Sequence, residues 1–153
     1  MALKLLIIHT DDQFRGQLIQ RMRHEDYLVF EAHPEAEATD ILRRTNFDVV
    51  LLGVMGSYQN SLALLKTIKE MRPYTEVIFL TSLEEHSLYE SMQAMRLGAF
   101  DELLVPLDIH TLHSRIQEAY TRKKERIGAK RSMMRRGREG HTAGSTAGFE
   151  NAT

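Results

Sequence analysis

Phe47-Asp48-Val49-Val50-Leu51-Leu52-Gly53, followed a short turn later by Leu62-Ala63-Leu64-Leu65-Lys66-Thr67-Ile68-Lys69, decides the fold class of this chain. The unbroken apolar row Val49 to Leu52 does not alternate with polar residues, so both faces of that strand are to be covered, as in the centre of a parallel sheet. The second segment changes to helical period: Leu62, Leu65 and Ile68 share one face, and the lysines lie off it. A strand buried on both faces that runs into an amphipathic helix is half of a βαβ unit.

The same alternation repeats on either side. Strands are expected at 3 to 8, 27 to 32, 48 to 52, 76 to 81 and 100 to 104, and helices at 12 to 26, 34 to 45, 60 to 72, 83 to 97 and 108 to 124. The first, third and fourth strands are continuously apolar and read as central; the mixed Tyr27-Leu28-Val29-Phe30-Glu31 reads as an edge. Ser82-Leu83-Glu84-Glu85 has the form of a capping box before the fourth helix, and Gly98 is placed to end that helix. Asp108 is the expected N-cap of the fifth, whose apolar face is Leu112, Ile116, Ala119 and Tyr120. Pro34 suits a first helical turn and Pro73 a stop. The fold class is α/β: a (βα)5 flavodoxin-like three-layer sandwich around a central five-stranded parallel sheet. Its working crevice is expected beyond the C-terminal strand ends, at 9 to 12, 53 to 58, 81 to 83 and 105 to 107.

The chain has 153 residues, enough for one domain with an appendage. Residues 1 to 120 hold 11 Lys/Arg against 18 Asp/Glu, whereas residues 121 to 153 hold 9 against 3. An acidic domain over 1–124 is therefore expected to carry a flexible tail over 125–153, basic at first and then rich in Gly, Ala and Thr. There is no cysteine, which removes disulfides, thiolate metal sites and cysteine nucleophiles and suits a cytoplasmic setting. Among the histidines only His110 and His113 are close in sequence; as an i, i+3 pair they read as exposed helix residues before a metal pair. The N-terminus lacks a basic leader region, and no apolar run approaches the length of a membrane span.

Several segments together resemble a response regulator receiver domain of two-component signalling. Lys4-Leu5-Leu6-Ile7-Ile8-His9-Thr10-Asp11-Asp12-Gln13-Phe14-Arg15 resembles the opening strand, acidic turn and first helix of that family. Phe47 to Met55 with Leu62 to Lys69 aligns without a gap onto its third strand, phosphorylation loop and third helix. Glu76 to Ser82, Gly98-Ala99 and Val105-Pro106 match the fourth strand and the surroundings of the fifth. The resemblance covers residues 3 to about 122.

It implies a phosphorylation site of five groups: an acidic pair and a third-strand aspartate that hold Mg²⁺, the aspartate also being the nucleophile, with a Thr or Ser and a Lys on the phosphoryl oxygens. Carried over, the phosphoacceptor position is Gly53, the lysine position is Val105, and the acidic pair falls on His9 and Thr10 with Asp11 next. Thr81 and Pro106, the latter usually after a cis peptide in the family, remain. Asp11 and Asp12 are the weak metal candidates, and Asp48 begins its strand and so lies at the wrong end of the sheet. The family's switch aromatic position is Glu102, with Phe100 two residues earlier on the same expected face. A degenerate pseudo-receiver is thus expected: not phosphorylated on Asp, not an enzyme, without cofactor, and acting through protein contacts.

The expected partner is a histidine kinase, another regulator or a second copy in a homodimer. The surface would be the fourth helix, fifth strand and fifth helix, through Tyr89, Met92, Met95, Arg96, Glu102, His113 and Tyr120, although methionines at helical spacing also suit a core. Two alternatives stand beside it. One is a flavodoxin-like small-ligand protein using Thr10, Asp11, Ser57, Tyr58 and Thr81, weakened by the lack of a Gly-rich phosphate loop. The other is weak binding of nucleic acid or another polyanion by the tail, whose basic run has no interleaved aromatics.

Overall fold

The computed structural model describes residues 2–23, 26–34, 36–53 and 57–151. Val54 and Met55 of the expected phosphorylation loop, with Gly56, lie outside them, as do 24 and 25 at the expected end of the first helix. The elements alternate: β1 Leu3–Ile8, α1 Asp12–Met22, β2 Tyr27–Ala32, α2 Ala36–Arg44, β3 Val49–Gly53, α3 Tyr58–Met71, β4 Glu76–Ser82, α4 Leu88–Arg96, β5 Asp101–Val105 and α5 Ile109–Asn151. All strand pairs are parallel, in the order β2-β1-β3-β4-β5. The sheet order reverses direction beside β1 and β3, which puts their C-terminal ends at the crevice.

Two apolar layers cover the sheet, and strand alternation assigns residues to them. Leu6, Ile8, Val50, Leu52, Val77 and Phe79 pack with residues of α2, α3 and α4, such as Leu42, Leu65 and Ala94. Leu5, Ile7, Val49, Leu51, Ile78 and Leu80 pack with α1 and α5 through Leu18, Met22, Leu112, Ile116 and Ala119. The result is the three-layer sandwich with the continuous strands inside and β2 at an edge.

Helix termini account for the departures. Asp11 caps α1, accepting the N–H groups of Gln13 and Phe14, and Asp108 accepts the His110 N–H before α5. The fourth helix starts at Leu88, capped by Ser87, and not at the Ser82 box. Ser82 still belongs to β4; its hydroxyl bonds Glu85 Oε1 at 2.9 Å and accepts the Glu85 N–H, closing a turn that goes no further. The second S-x-x-E, Ser87 to Glu90, starts the helix. Gly98 ends α4 at φ 103°, in the left-handed region. α5 continues beyond the 108 to 124 of the apolar stripe, and over 121 to 136 Arg, Lys, Glu, Ala and Met, all strong helix formers, predominate. Residues 1–123 form one compact unit and 124–153 a second.

Candidate functional site

At the crevice, the segment after β1 and the end of β3 fit each other by size. A Cβ on Gly53 would lie 2.2 Å from His9 Cδ2 and 2.9 Å from Nε2, so the imidazole occupies the space that a side chain on β3 would need. The ring is held there: its Nδ1 accepts the Asp11 N–H at 3.0 Å, and its centroid lies 4.5 Å from that of Phe14. Burial holds the His9 pKa below its ordinary 6.5, with Arg15 acting the same way while Asp11 and Glu85 oppose. A neutral ring accepting at Nδ1 carries its proton on Nε2.

The acidic residues of the turn are already engaged. Asp11 Oδ1 caps α1, at 2.9 Å from Gln13 N and 3.1 Å from Phe14 N. Arg15, buried, donates to Asp12 Oδ1 at 2.6 Å, to Glu31 Oε1 at 3.0 Å and to the His9 carbonyl. A guanidinium thus neutralises carboxylates that a divalent cation would otherwise collect. The Mg²⁺ implied by the resemblance does not fit this set, since Gly53 brings no oxygen side chain and His9 covers its position. Calorimetry is expected to give Mg²⁺ affinity no better than about millimolar; micromolar binding would show that Asp11 and Asp12 leave their partners to form a site.

Thr81 is fully buried and, among the described residues, its hydroxyl has no hydrogen-bond partner. Val105 is part-buried against the α1/α5 layer, and its peptide to Pro106 is cis. Thr10 is exposed beside the crevice. Ser57 is committed to capping α3, and Tyr58 packs on Phe79 with its hydroxyl 3.3 Å from Ser91 Oγ, so two residues of the small-ligand alternative are used by the fold. Two grooves among the described residues lie away from the strand ends, one of about 290 Å³ beside Tyr27 and one of about 400 Å³ between α3 and α4.

The expected interaction residues divide. Tyr89 is 68% exposed, Met92 and Met95 are each 48% exposed, and Arg96 is open beside them; of α4 only Ala94 is buried. His113 lies elsewhere, its Nδ1 3.0 Å from the Tyr27 hydroxyl on β2, and Tyr120 packs against the α1/α5 layer. Both flank the Leu112, Ile116, Ala119 stripe, a spacing legible in the sequence as a boundary position. Glu102 turns toward α4 and is bonded by Ser91. Phe100 does not share its face: it precedes β5, so strand alternation does not apply, and it packs on the other layer under the Arg115 guanidinium, 4.9 Å from its ring centre. Sequence reasoning missed Arg15, His86 and Ser91, which acquire partners only through tertiary contacts.

The comparisons agree with this architecture. Residues 5–117 match the family model described as response regulator receiver domain. The transcriptional regulatory protein CrdR of Helicobacter pylori is 32% identical over 121 residues, 78% of this chain and 56% of the relative. ZraR of Escherichia coli, also a transcriptional regulatory protein, is 29% identical over 115 residues, 74% of this chain and 26% of the relative. The chain therefore spans about half or less of the length of these relatives. Among solved structures, NtrX from Brucella abortus in complex with ADP superposes with TM-score 0.77 at 21% identity, over 90% of this chain and 30% of that one. A CheY-like receiver domain protein from Methanospirillum hungatei gives 0.73 at 20% identity, over 82% and 99%. With the family model spanning most of the chain and the sheet order, crevice and cis Val105-Pro106 peptide in place, this chain belongs to the response regulator receiver domain family.

Proposed function

We propose that this receiver-type protein is not phosphorylated on aspartate and serves a two-component or phosphorelay system as a constitutive, non-catalytic interaction module, in a cytoplasmic setting. The observation that carries this reading is the His9 ring seated where a Gly53 side chain would be. A carboxylate nucleophile is absent there, and Val105 offers no charge for a phosphoryl oxygen. Incubation with acetyl phosphate and Mg²⁺ is expected to leave the intact mass unchanged; a stable single phosphoryl adduct near the crevice would overturn the reading.

The docking surface in this reading is α4 with the adjoining edge strand β5, where Leu88, Tyr89, Met92, Met95 and Leu104 are exposed together with Arg96. Apolar side chains of this size, largely in water, suit a protein partner: a histidine kinase, another regulator or a second copy. His113 and Tyr120 are left out, because they are held on the other layer.

A second reading concerns residues 125–153, taken as a tail appended to the 1–124 domain. The 9 Lys/Arg against 3 Asp/Glu over 121 to 153 favour weak capture of a polyanion such as nucleic acid. Binding of nonspecific DNA by the full chain is expected to fall steeply with salt and to vanish when 128–153 are deleted, with the thermal midpoint nearly unchanged. Undiminished binding by the truncated protein would place the polyanion site elsewhere.

A further inference from the structure

Glu102 stands at the family's switch position, but its surroundings are those of a proton site. Only 11% of its side chain is exposed. Oε1 accepts the Ser91 hydroxyl at 2.6 Å and lies 3.3 Å from His86 Nε2; Oε2 is buried and, among the described residues, has no hydrogen-bond partner. Ser91 Oγ is in turn 3.3 Å from the Tyr58 hydroxyl and 3.4 Å from His86 Nε2. The turn before α4, the first turn of α4 and strand β5 therefore meet at one carboxyl, and the start of α3 is tied to it through Ser91.

The neighbouring charged and titratable groups are otherwise occupied. Glu90 of α4 is bonded by Gln59 at 3.3 Å, Glu85 of the turn by Ser82, and Tyr89 by Gln93 at 3.1 Å. Asp101, next on β5, is held by Arg115 at 2.7 Å. Among the described residues no Lys or Arg is paired with Glu102, so His86 is its one source of positive charge, and only when protonated. An ionised carboxyl with a bare buried oxygen is costly. A proton on the carboxyl removes the uncompensated charge.

We propose that Glu102 is a one-proton latch: with the proton bound, the carboxyl stays against Ser91 and fixes the start of α4, and without it the carboxylate draws toward water and loosens residues 87–92. That segment carries Leu88, Tyr89 and Met92, so the latch, which rests on the proposed use of this face for docking, adds a dependence on proton uptake to contacts that are constitutive only in needing no phosphorylation. The sign is consistent with burial pushing the Glu102 pKa above its ordinary 4.5. A raised folded-state value contributes stability at lower pH that is lost as pH rises through it.

The test is amide exchange of residues 88–92 in the full chain, corrected for intrinsic base catalysis, with NMR titration of the Glu102 carboxyl. Opening of this segment is expected to increase severalfold as pH rises through the range in which the Glu102 carboxyl ionises, above that of an ordinary glutamate, while the β1 and β3 amides do not change. Glu102→Gln, which still accepts from Ser91 but cannot ionise, should stay closed across the range. Ser91→Ala, which removes the hydroxyl that the carboxyl holds, should leave the segment open across the range and serves if the glutamine variant fails to fold. A wild-type segment whose opening is independent of pH, or a Glu102→Gln protein with the wild-type profile, overturns the latch. Partner capture is measured separately: a pH step in exchange without any capture on α4 counts against the docking surface and leaves the latch supported.

Discussion

Replacing Lys123 by alanine should lower the stability of the folded domain by about 3–5 kcal/mol, as expected when one partner of a buried ion pair is removed. Lys123 Nζ lies 2.7 Å from Asp48 Oδ1, with 8% and 20% of the two side chains exposed. The same ammonium is 3.4 Å from the Phe47 carbonyl, and the second Asp48 oxygen accepts the Lys4 N–H at 2.8 Å. The pair thus joins α5, β1 and the entry to β3 at the end of the sheet opposite the crevice. Truncation leaves the Asp48 charge without its counter-charge in a site that water reaches poorly, which is costlier than never having buried a pair there. Urea denaturation of Lys123→Ala measures the loss, and an Asp48→Asn, Lys123→Met double variant should recover much of it. A loss below about 1 kcal/mol would mean that the pair behaves as a solvated surface bridge.

This pair shows what the sequence could and could not disclose. Asp48 was legible as a residue at the wrong end of its strand for phosphorylation chemistry, because strand direction follows from the βαβ pattern. Its partner, 75 positions away, was not. The strands were legible to within a residue because Leu5 to Ile8, Val49 to Leu52 and Val77 to Leu80 are continuous apolar rows. Helix starts were less so: two S-x-x-E patterns stand five residues apart, and only the backbone path out of β4 decides that the first makes a turn and the second a helix. Glu102 could be read as a lost switch aromatic, yet nothing local indicates that His86 and Ser91 converge on it. At the crevice His9 and Gly53 were each legible as departures from the family, and their fit to each other was not.

That fit leads to the second large effect. Gly53→Ala is expected to destabilise the protein by about 1–3 kcal/mol, the cost of overpacking a site that must displace a held side chain. The clash is with the His9 ring, at 2.2 Å from the added carbon, and the ring cannot swing away without losing the Asp11 N–H and the Phe14 contact. In a His9→Ala background the obstacle is gone, and alanine in the strand end should cost less than about 0.5 kcal/mol or even stabilise, since it restricts the unfolded chain more than glycine does. The double-mutant cycle should therefore return a coupling of about 1 kcal/mol or more between two residues on different strands' ends. The same reasoning extends to Gly53→Asp, which supplies a carboxylate but has to place it where the imidazole sits, beside acids already taken by Arg15 and by the α1 cap. Acetyl phosphate should leave that variant unmodified, whereas His9→Ala, Gly53→Asp has room for the carboxylate and should recover the stability that Gly53→Asp alone loses. Additive effects of His9→Ala and Gly53→Ala in urea denaturation would show that the ring moves aside at no cost, and the proposal that His9 closes the phosphoacceptor position would fall with it.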